Sequence, residues 1–202
     1  MVLASSYLPP ISWFAQLCLG EPVFLEQYEH FHKQTIRNRC TIDSPNGPLH
    51  LTVPIDKSNF SAGAKCLMRD VRISYRSDWQ HQHWNAIQSS YFNSPFFEYL
   101  QDDFRPLFHR QWTYLMDMNE AFIDLCCRLI DIHPQIKRTT DFIGSSLSDS
   151  SLVQSPYYQV FAHKHGFLPN LSIIDLIFNL AGESLIYFTD LQSPTVNLLG
   201  NP

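Results

Sequence analysis

Residues 36–55, IRNRCTIDSPNGPLHLTVPI, constrain the fold more than any other stretch of the chain. Pro45-Asn46-Gly47 supplies turn chemistry at the centre, proline presetting φ and glycine free to take positive φ. Alternation on either side predicts two strands of a hairpin, with side chains sorted onto two faces. Ile36, Cys40 and Ile42 fall with Leu49, Leu51, Val53 and Ile55 on an apolar face, and Asn38 is the polar side chain dropped among them. Arg37, Arg39 and Thr41 fall on the other face with His50 and Thr52. Arg37 and Arg39, with Lys33 nearby, carry the charge that grips a phosphate or carboxylate, the guanidinium forks doing so bidentately. The same residues equally suit a solvated sheet face whose charges keep an edge from pairing with another chain.

Around the hairpin the pattern alternates between strand and helix. A short strand is predicted at 2–6, a helix at 11–19 with Pro10 near its first turn and Gly20 as its stop, and a strand at 23–28. DVRISY (70–75) alternates as a further strand. Helices follow at 78–91, capped by Ser77-Asp78, and at 95–108, with Pro106 breaking or restarting the second. Asn119 opens a longer helix that stops before Pro134, and 139–143 reads as a strand. Residues 144–154 form a serine-rich polar loop, ordered only where a ligand or partner holds it. In the last helix, 171–180, Ser172 and Asp175 stand in capping-box spacing. The expected architecture is mixed α/β: one domain over residues 1–190, with a single mixed sheet containing the hairpin and helices packed on it, and a tail over 191–202.

Composition narrows the function. A net charge of −5 argues against a general nucleic-acid binder, whose footprint is basic. No apolar run approaches the roughly 20 residues that span a bilayer. MVLASSYLPP lacks the basic start and apolar length of a secretory signal, and five cysteines without metal-like spacing point to free thiols in the cytoplasm. With seven glycines, no Walker A loop, no G-x-G-x-x-G and no G-x-S-x-G elbow, the chain implies no cofactor.

Three His-x-His pairs, His30/His32, His81/His83 and His163/His165, are the candidates for metal binding. Only the first stands near a predicted strand, where i and i+2 share a face. On the predicted helix His81 and His83 diverge by about 200°, and no nearby carboxylate or cysteine supplies an obvious third ligand. No metal is expected. Asp78, His83 and Trp84 offer a general base beside an aromatic and a carboxylate, or, read structurally, a buried histidine among core anchors. Cys40 and Cys66 are open candidates for a nucleophile, without a specific argument for either.

Four stretches together resemble the WbqC-like family of bacterial proteins. Tyr7-Leu8-Pro9 with Trp13-Phe14 is similar to that family's opening segment. Arg37-Asn38-Arg39, Gly47 and Leu51-Thr52-Val53-Pro54 are similar to its hairpin. Trp79-x-x-x-His83-Trp84 through Tyr91 and Pro95-x-Phe97 form the third stretch. PYYQVF (156–161) with GFLPNLSIIDLIFN (166–179) resembles the C-terminal segment of the Bacteroidetes-type branch. The resemblance implies an α/β fold and a place in clusters for O-antigen and other surface polysaccharides, the namesake being ascribed glycine transfer onto an amino sugar. It carries over Tyr7, Asn38, Arg39, His83 and Asn119. The chain departs from the pattern where Leu3, Ala4 and Ser5 replace His-Gln-Pro and where Pro10 and Ser12 replace Trp and Gly.

These readings lead to a transferase that moves an acyl or aminoacyl group onto a nucleotide-linked amino sugar. The expected partners are a sugar nucleotide and an acyl or aminoacyl donor. Arg37 and Arg39 would hold phosphates, with Tyr7 also at the substrate. His83 would deprotonate the attacking amine, since an ammonium has no lone pair, and Asn38 or Asn119 would polarise the carbonyl. The rival is a non-catalytic binding or scaffold protein with a protein partner, favoured by the lost His-Gln-Pro start and the aromatic surplus at 91–97.

Overall fold

Parallel strands need a crossover between them, and the first fifty residues are built around one. In the computed structural model, which describes residues 1–19, 22–58, 60, 66–145 and 154–192, β1 (Val2–Ala4) pairs in parallel with β2 (Val23–Glu26). The crossover is α1 (Ile11–Ala15), extended by a 3-10 turn over Gln16–Leu19. β2 pairs on its other side, again in parallel, with β5 (Ile136–Arg138). The expected strand at 139–143 does not form; the strand lies just ahead of it at 136–138, and the Thr139 N–H adds one further bond to the Leu25 carbonyl at 3.0 Å.

The hairpin forms as β3 (Arg39–Ile42) and β4 (Leu49–Thr52), in the register Arg39 opposite Thr52 and Ile42 opposite Leu49. Gly47, at φ +96°, takes the turn conformation that its missing Cβ permits. Cys40, Ile42, Leu51 and Val53 are buried as the alternation requires, while Leu49, near the tip, is exposed. The α/β class is as read from the sequence, but among the described residues the strands divide between a three-stranded parallel sheet and this separate two-stranded one. The reason lies at the hairpin's outer edge. The Ile36 carbonyl accepts the Tyr7 N–H at 2.9 Å and the Thr41 carbonyl accepts the Ser172 N–H at 2.8 Å, so loop and helix start occupy that edge.

Helices α2 (Trp79–Tyr91), α3 (Phe97–His109) and α4 (Leu115–Leu129) surround α6 (Ile173–Leu180), which follows the short α5 (Ala162–His165). α6 is buried from Ile173 through Asn179. Phe178 meets the rings of Tyr91, Phe97 and Phe104 at centroid separations of 5.0–5.2 Å, close enough for the edge and tilted contacts that aromatic rings favour. α4 begins four residues ahead of Asn119, its Leu115 N–H held by the Val71 carbonyl. In place of a strand, residues 70–75 follow from a 3-10 turn (Met68–Asp70) and make isolated bridges, Ile73 with Ile55 and Arg72 with Tyr114. Pro106 lies inside α3 without ending it. α7 (Ser184–Gln192) occupies the start of the expected tail, whose remainder, 193–202, lies outside the described residues. Among the described residues no helix is long and apolar enough to cross a membrane.

Candidate functional site

The strands of the hairpin end at Arg39 and Thr52, and a cleft of about 290 Å³ opens beside them. Phe31, Lys33, Asn38, Thr52, Lys57 and Phe60 are among its lining residues. Arg39 donates from Nε to Thr52 Oγ1 at 2.8 Å, and among the described residues no carboxylate pairs with its guanidinium. Asn38 is 4% exposed; its Nδ2 donates to the Val53 carbonyl at 3.0 Å, and its Oδ1 is buried with no hydrogen-bond partner among the described residues. Asn119 Oδ1 is orphaned in the same way, so the unmet acceptor of Asn38 differs from it in standing at the wall of the cleft. Gln34, on the same wall, is held at φ +57°, a conformation that a non-glycine residue adopts only where its surroundings enforce it.

Behind this wall lies a second group of expected residues. The Tyr7 hydroxyl and His83 Nδ1 are 2.9 Å apart, and both side chains are buried. Burial pulls the imidazole down to about 4, against the opposing pull of the Thr52 carbonyl, so the ring is neutral near pH 7. Nδ1 then accepts the Tyr7 proton and Nε2–H is left for the Thr52 carbonyl, placing His83 directly behind the residue that receives Arg39. The Trp79 ring packs edge-on against His83 at 5.1 Å. Neither Tyr7 nor His83 lines the cleft.

Arg37 and Asn119 are placed elsewhere. Arg37 is buried, and its Nε and Nη2 donate to the two oxygens of Glu29 at 2.7 and 2.6 Å. Alternation put it on the polar face, but the strand starts only at Arg39 and Arg37 belongs to the turn before it. Asn119 is fully buried in α4, where its Nδ2 donates to Ser5 Oγ and to the Arg37 carbonyl, each at 2.9 Å, tying helix, first strand and hairpin together. Glu29 Oε2 also accepts from Ser145 Oγ at 2.6 Å. Glu26, fully buried, accepts the N–H groups of Tyr28, Ile143 and Gly144 and the Thr139 hydroxyl. Burial would raise its carboxyl, yet these bonds hold it below the usual range. Two carboxylates therefore fix the entry to the serine-rich loop, of which 146–153 lie outside the described residues.

A further cluster escaped the sequence reading. Asp175, fully buried, does not complete the expected capping box: Ser172 Oγ donates instead to the Leu8 carbonyl at 2.8 Å. The Asp175 carboxylate accepts from the Tyr157 hydroxyl and from Gln159 Nε2. Burial raises it to about 6, with Asp43 adding to the rise and the hydroxyls of Tyr157 and Tyr91 resisting it. Asp43, 1% exposed, is raised by the same desolvation, while His165 Nε2 at 3.2 Å from its Oδ1 pulls it back. The available signal was Asp175, a carboxylate inside the apolar run LSIIDLIF (171–178), which alternation alone does not bring together with Asp43 and Tyr157.

No group of three or more His, Cys, Asp or Glu side chains is arranged to hold a metal ion among the described residues. Burial pushes the Cys40 thiol up, and also raises Cys66, so neither carries the depressed acidity of a nucleophile.

A sequence model of the WbqC-like protein family matches residues 4–155. The chain is 20% identical to the uncharacterized protein Rv1507c of Mycobacterium tuberculosis (strain ATCC 25618 / H37Rv), over 92% of this chain and 95% of that relative. No solved structure matches. The matched range includes the hairpin, His83, Asn119 and Asp43, and stops short of Tyr157, His165 and Asp175.

Proposed function

The chain belongs to the WbqC-like protein family, and from that membership we propose a transferase of cell-surface polysaccharide biosynthesis that moves an acyl or aminoacyl group, glycyl among the candidates, onto a nucleotide-linked amino sugar. The observation that carries this reading is the cationic cleft at the hairpin's end, with the Asn38 orphan acceptor on its wall. Phosphate oxygens need fixed cations, and Lys33, Lys57 and Arg39 stand at or beside the cleft. Asn38, on the wall of the cleft that takes the nucleotide, would meet an N–H of the bound nucleotide with Oδ1 once the wall opens to it, and the sugar's amine, held beyond Lys57 as the free base, turns its lone pair toward the donor's carbonyl carbon. The N–C bond forms as the bond to the donor's leaving group breaks, and the amine's proton departs with that leaving group. Tyr7 and His83 serve as positioning residues that hold Thr52, and through it Arg39, in place. Arg37 and Asn119 hold the hairpin from behind.

The test is direct. The purified chain is incubated with an amino-sugar nucleotide and glycyl or acetyl donors, and amide formation is followed by mass spectrometry. Amide that disappears in Arg39→Gln supports the reading; no amide from a folded chain that binds the nucleotide sugar refutes it. That second result would favour a non-catalytic binding protein, for which the burial of His83 and Asn119 away from the cleft is the supporting observation.

A further inference from the structure

A second cleft, of about 300 Å³, adjoins the first, and the two share Ile55 and Lys57. Their linings differ in chemistry. The first offers the rings of Phe31 and Phe60 with Lys33 and Asn38. The second offers Asp56, Ser58, Ser74 and Arg76. Asp56 accepts the Ser58 N–H at 2.9 Å, and this bond, with the Ser58 hydroxyl, keeps its carboxyl below the usual range and therefore ionised. The dividing segment is pinned on both sides: the Asp56 N–H reaches the Arg72 carbonyl at 2.9 Å, the Ser74 N–H the Pro54 carbonyl at 2.9 Å, and the Phe60 N–H the Lys57 carbonyl at 3.0 Å. Lys57 thus projects from a tethered turn between the two clefts.

We propose that the two clefts form one bipartite site for a nucleoside diphosphate sugar, with the diphosphate at Lys57, the base against Phe31 and Phe60, and the sugar among Asp56, Ser58, Ser74 and Arg76. This deepens the transferase reading and rests on it. Size is one argument, because each cleft alone lies at the lower end of the roughly 300–1,000 Å³ that ligand sites occupy, and joined they fall within it. Chemistry is the other. Flat apolar rings accept a base face regardless of its identity. An ionised carboxylate with hydroxyls and a guanidinium matches the alternating donors and acceptors of a polyol. A lysine between them supplies the point charge that a diphosphate needs. The arrangement places the sugar's anomeric end nearest Lys57 and its far hydroxyls nearest Arg76.

Calorimetric titration with UMP, UDP, UDP-glucosamine and glucosamine 1-phosphate separates the parts. UDP is expected to bind at least about tenfold tighter than UMP, and UDP-glucosamine tighter still. Lys57→Ala should weaken UDP and UDP-glucosamine together by roughly tenfold, and Arg76→Ala should weaken UDP-glucosamine alone. Unchanged UDP affinity in Lys57→Ala, or an equal loss for UDP and UDP-glucosamine in Arg76→Ala, overturns the bipartite site. Binding of glucosamine 1-phosphate without UDP also overturns it, while leaving transfer to a nucleotide-free amino sugar open to the amide assay. Amide formation that fails despite the expected binding order refutes the transferase and leaves the ligand map standing.

Discussion

The Arg37–Glu29 pair gives the sharpest expectation. Their side chains are 6% and 9% exposed, and the guanidinium engages both carboxylate oxygens. Arg37→Met leaves the Glu29 carboxylate inside the protein with Ser145 Oγ as its remaining donor among the described residues. Leaving one member of a buried pair uncompensated costs about 3–5 kcal/mol. In a chain of this length each kcal/mol moves the melting midpoint by about 2–4 °C, so the fall should be on the order of 10 °C. Replacing both members by apolar residues, Arg37→Met with Glu29→Leu, removes both desolvated charges and should restore most of that loss. Urea unfolding of the wild type, both single variants and the double variant closes the cycle, with an expected coupling of about 3 kcal/mol between the two positions. A cost below about 1 kcal/mol for Arg37→Met, the ordinary worth of a surface pair, or a double variant no more stable than the singles, would refute a buried, mutually dependent pair. The same proteins also test the anion clamp first read into Arg37, because the double variant should retain its affinity for UDP.

His83 and Asp175 should act in opposite directions as pH falls. His83 is held at about 4 against an ordinary 6.5, so its contribution, about 3 kcal/mol, is whole above pH 6.5 and lost toward pH 4; His83→Gln should flatten that part of the acid limb in urea titrations. Asp175 is raised to about 6 from 3.8, so its contribution is whole below 3.8 and gone above 6; Asp175→Asn should abolish the corresponding loss between pH 4 and 6 and leave the midpoint at pH 8 no lower than wild type. Asn119→Ala strands Ser5 Oγ and the Arg37 carbonyl, and an unfolding free energy reduced by about 2–3 kcal/mol in denaturant is expected. Arg39→Gln, at a partly exposed position, should change stability by less than about 0.5 kcal/mol. The same variant should lower UDP affinity by roughly tenfold in calorimetry, with a shallower salt dependence.

The hairpin was legible because Pro45, Gly47 and the alternation of Cys40, Ile42, Leu51 and Val53 are local signals that agree with one another. Its partner was not. A period of two says which face is buried, and the edge of β3 is settled by Ser172, some 130 residues away. Arg37 was misplaced because alternation was extended ahead of Arg39, where the strand starts. Asn119 was read as opening its helix, but α4 starts four residues earlier at Leu115 and the Asn119 side chain serves Ser5 and the Arg37 carbonyl, a tertiary demand that propensity does not contain. Of the candidate site, Asn38, Arg39 and Thr52 came from the hairpin itself. Lys57 and Arg76 lay in stretches without period or motif, and only the folded chain brings their clefts together.

The edge bond from Ser172 to Thr41 also sets a timetable. A ribosome adds about 5–20 residues per second, so on the order of ten seconds separates the appearance of the hairpin from that of its closing helix. Through that interval β3 has an open edge, and the socket that Phe178 fills between Tyr91, Phe97 and Phe104 stands unlined. The nascent chain is then at its most adhesive, carrying an unpaired strand and three large rings ahead of the segment that covers them. Slower growth at low temperature, or a chaperone that masks apolar surface, should therefore raise the soluble yield, and a stall before α6 should be the event that sends this protein to aggregation.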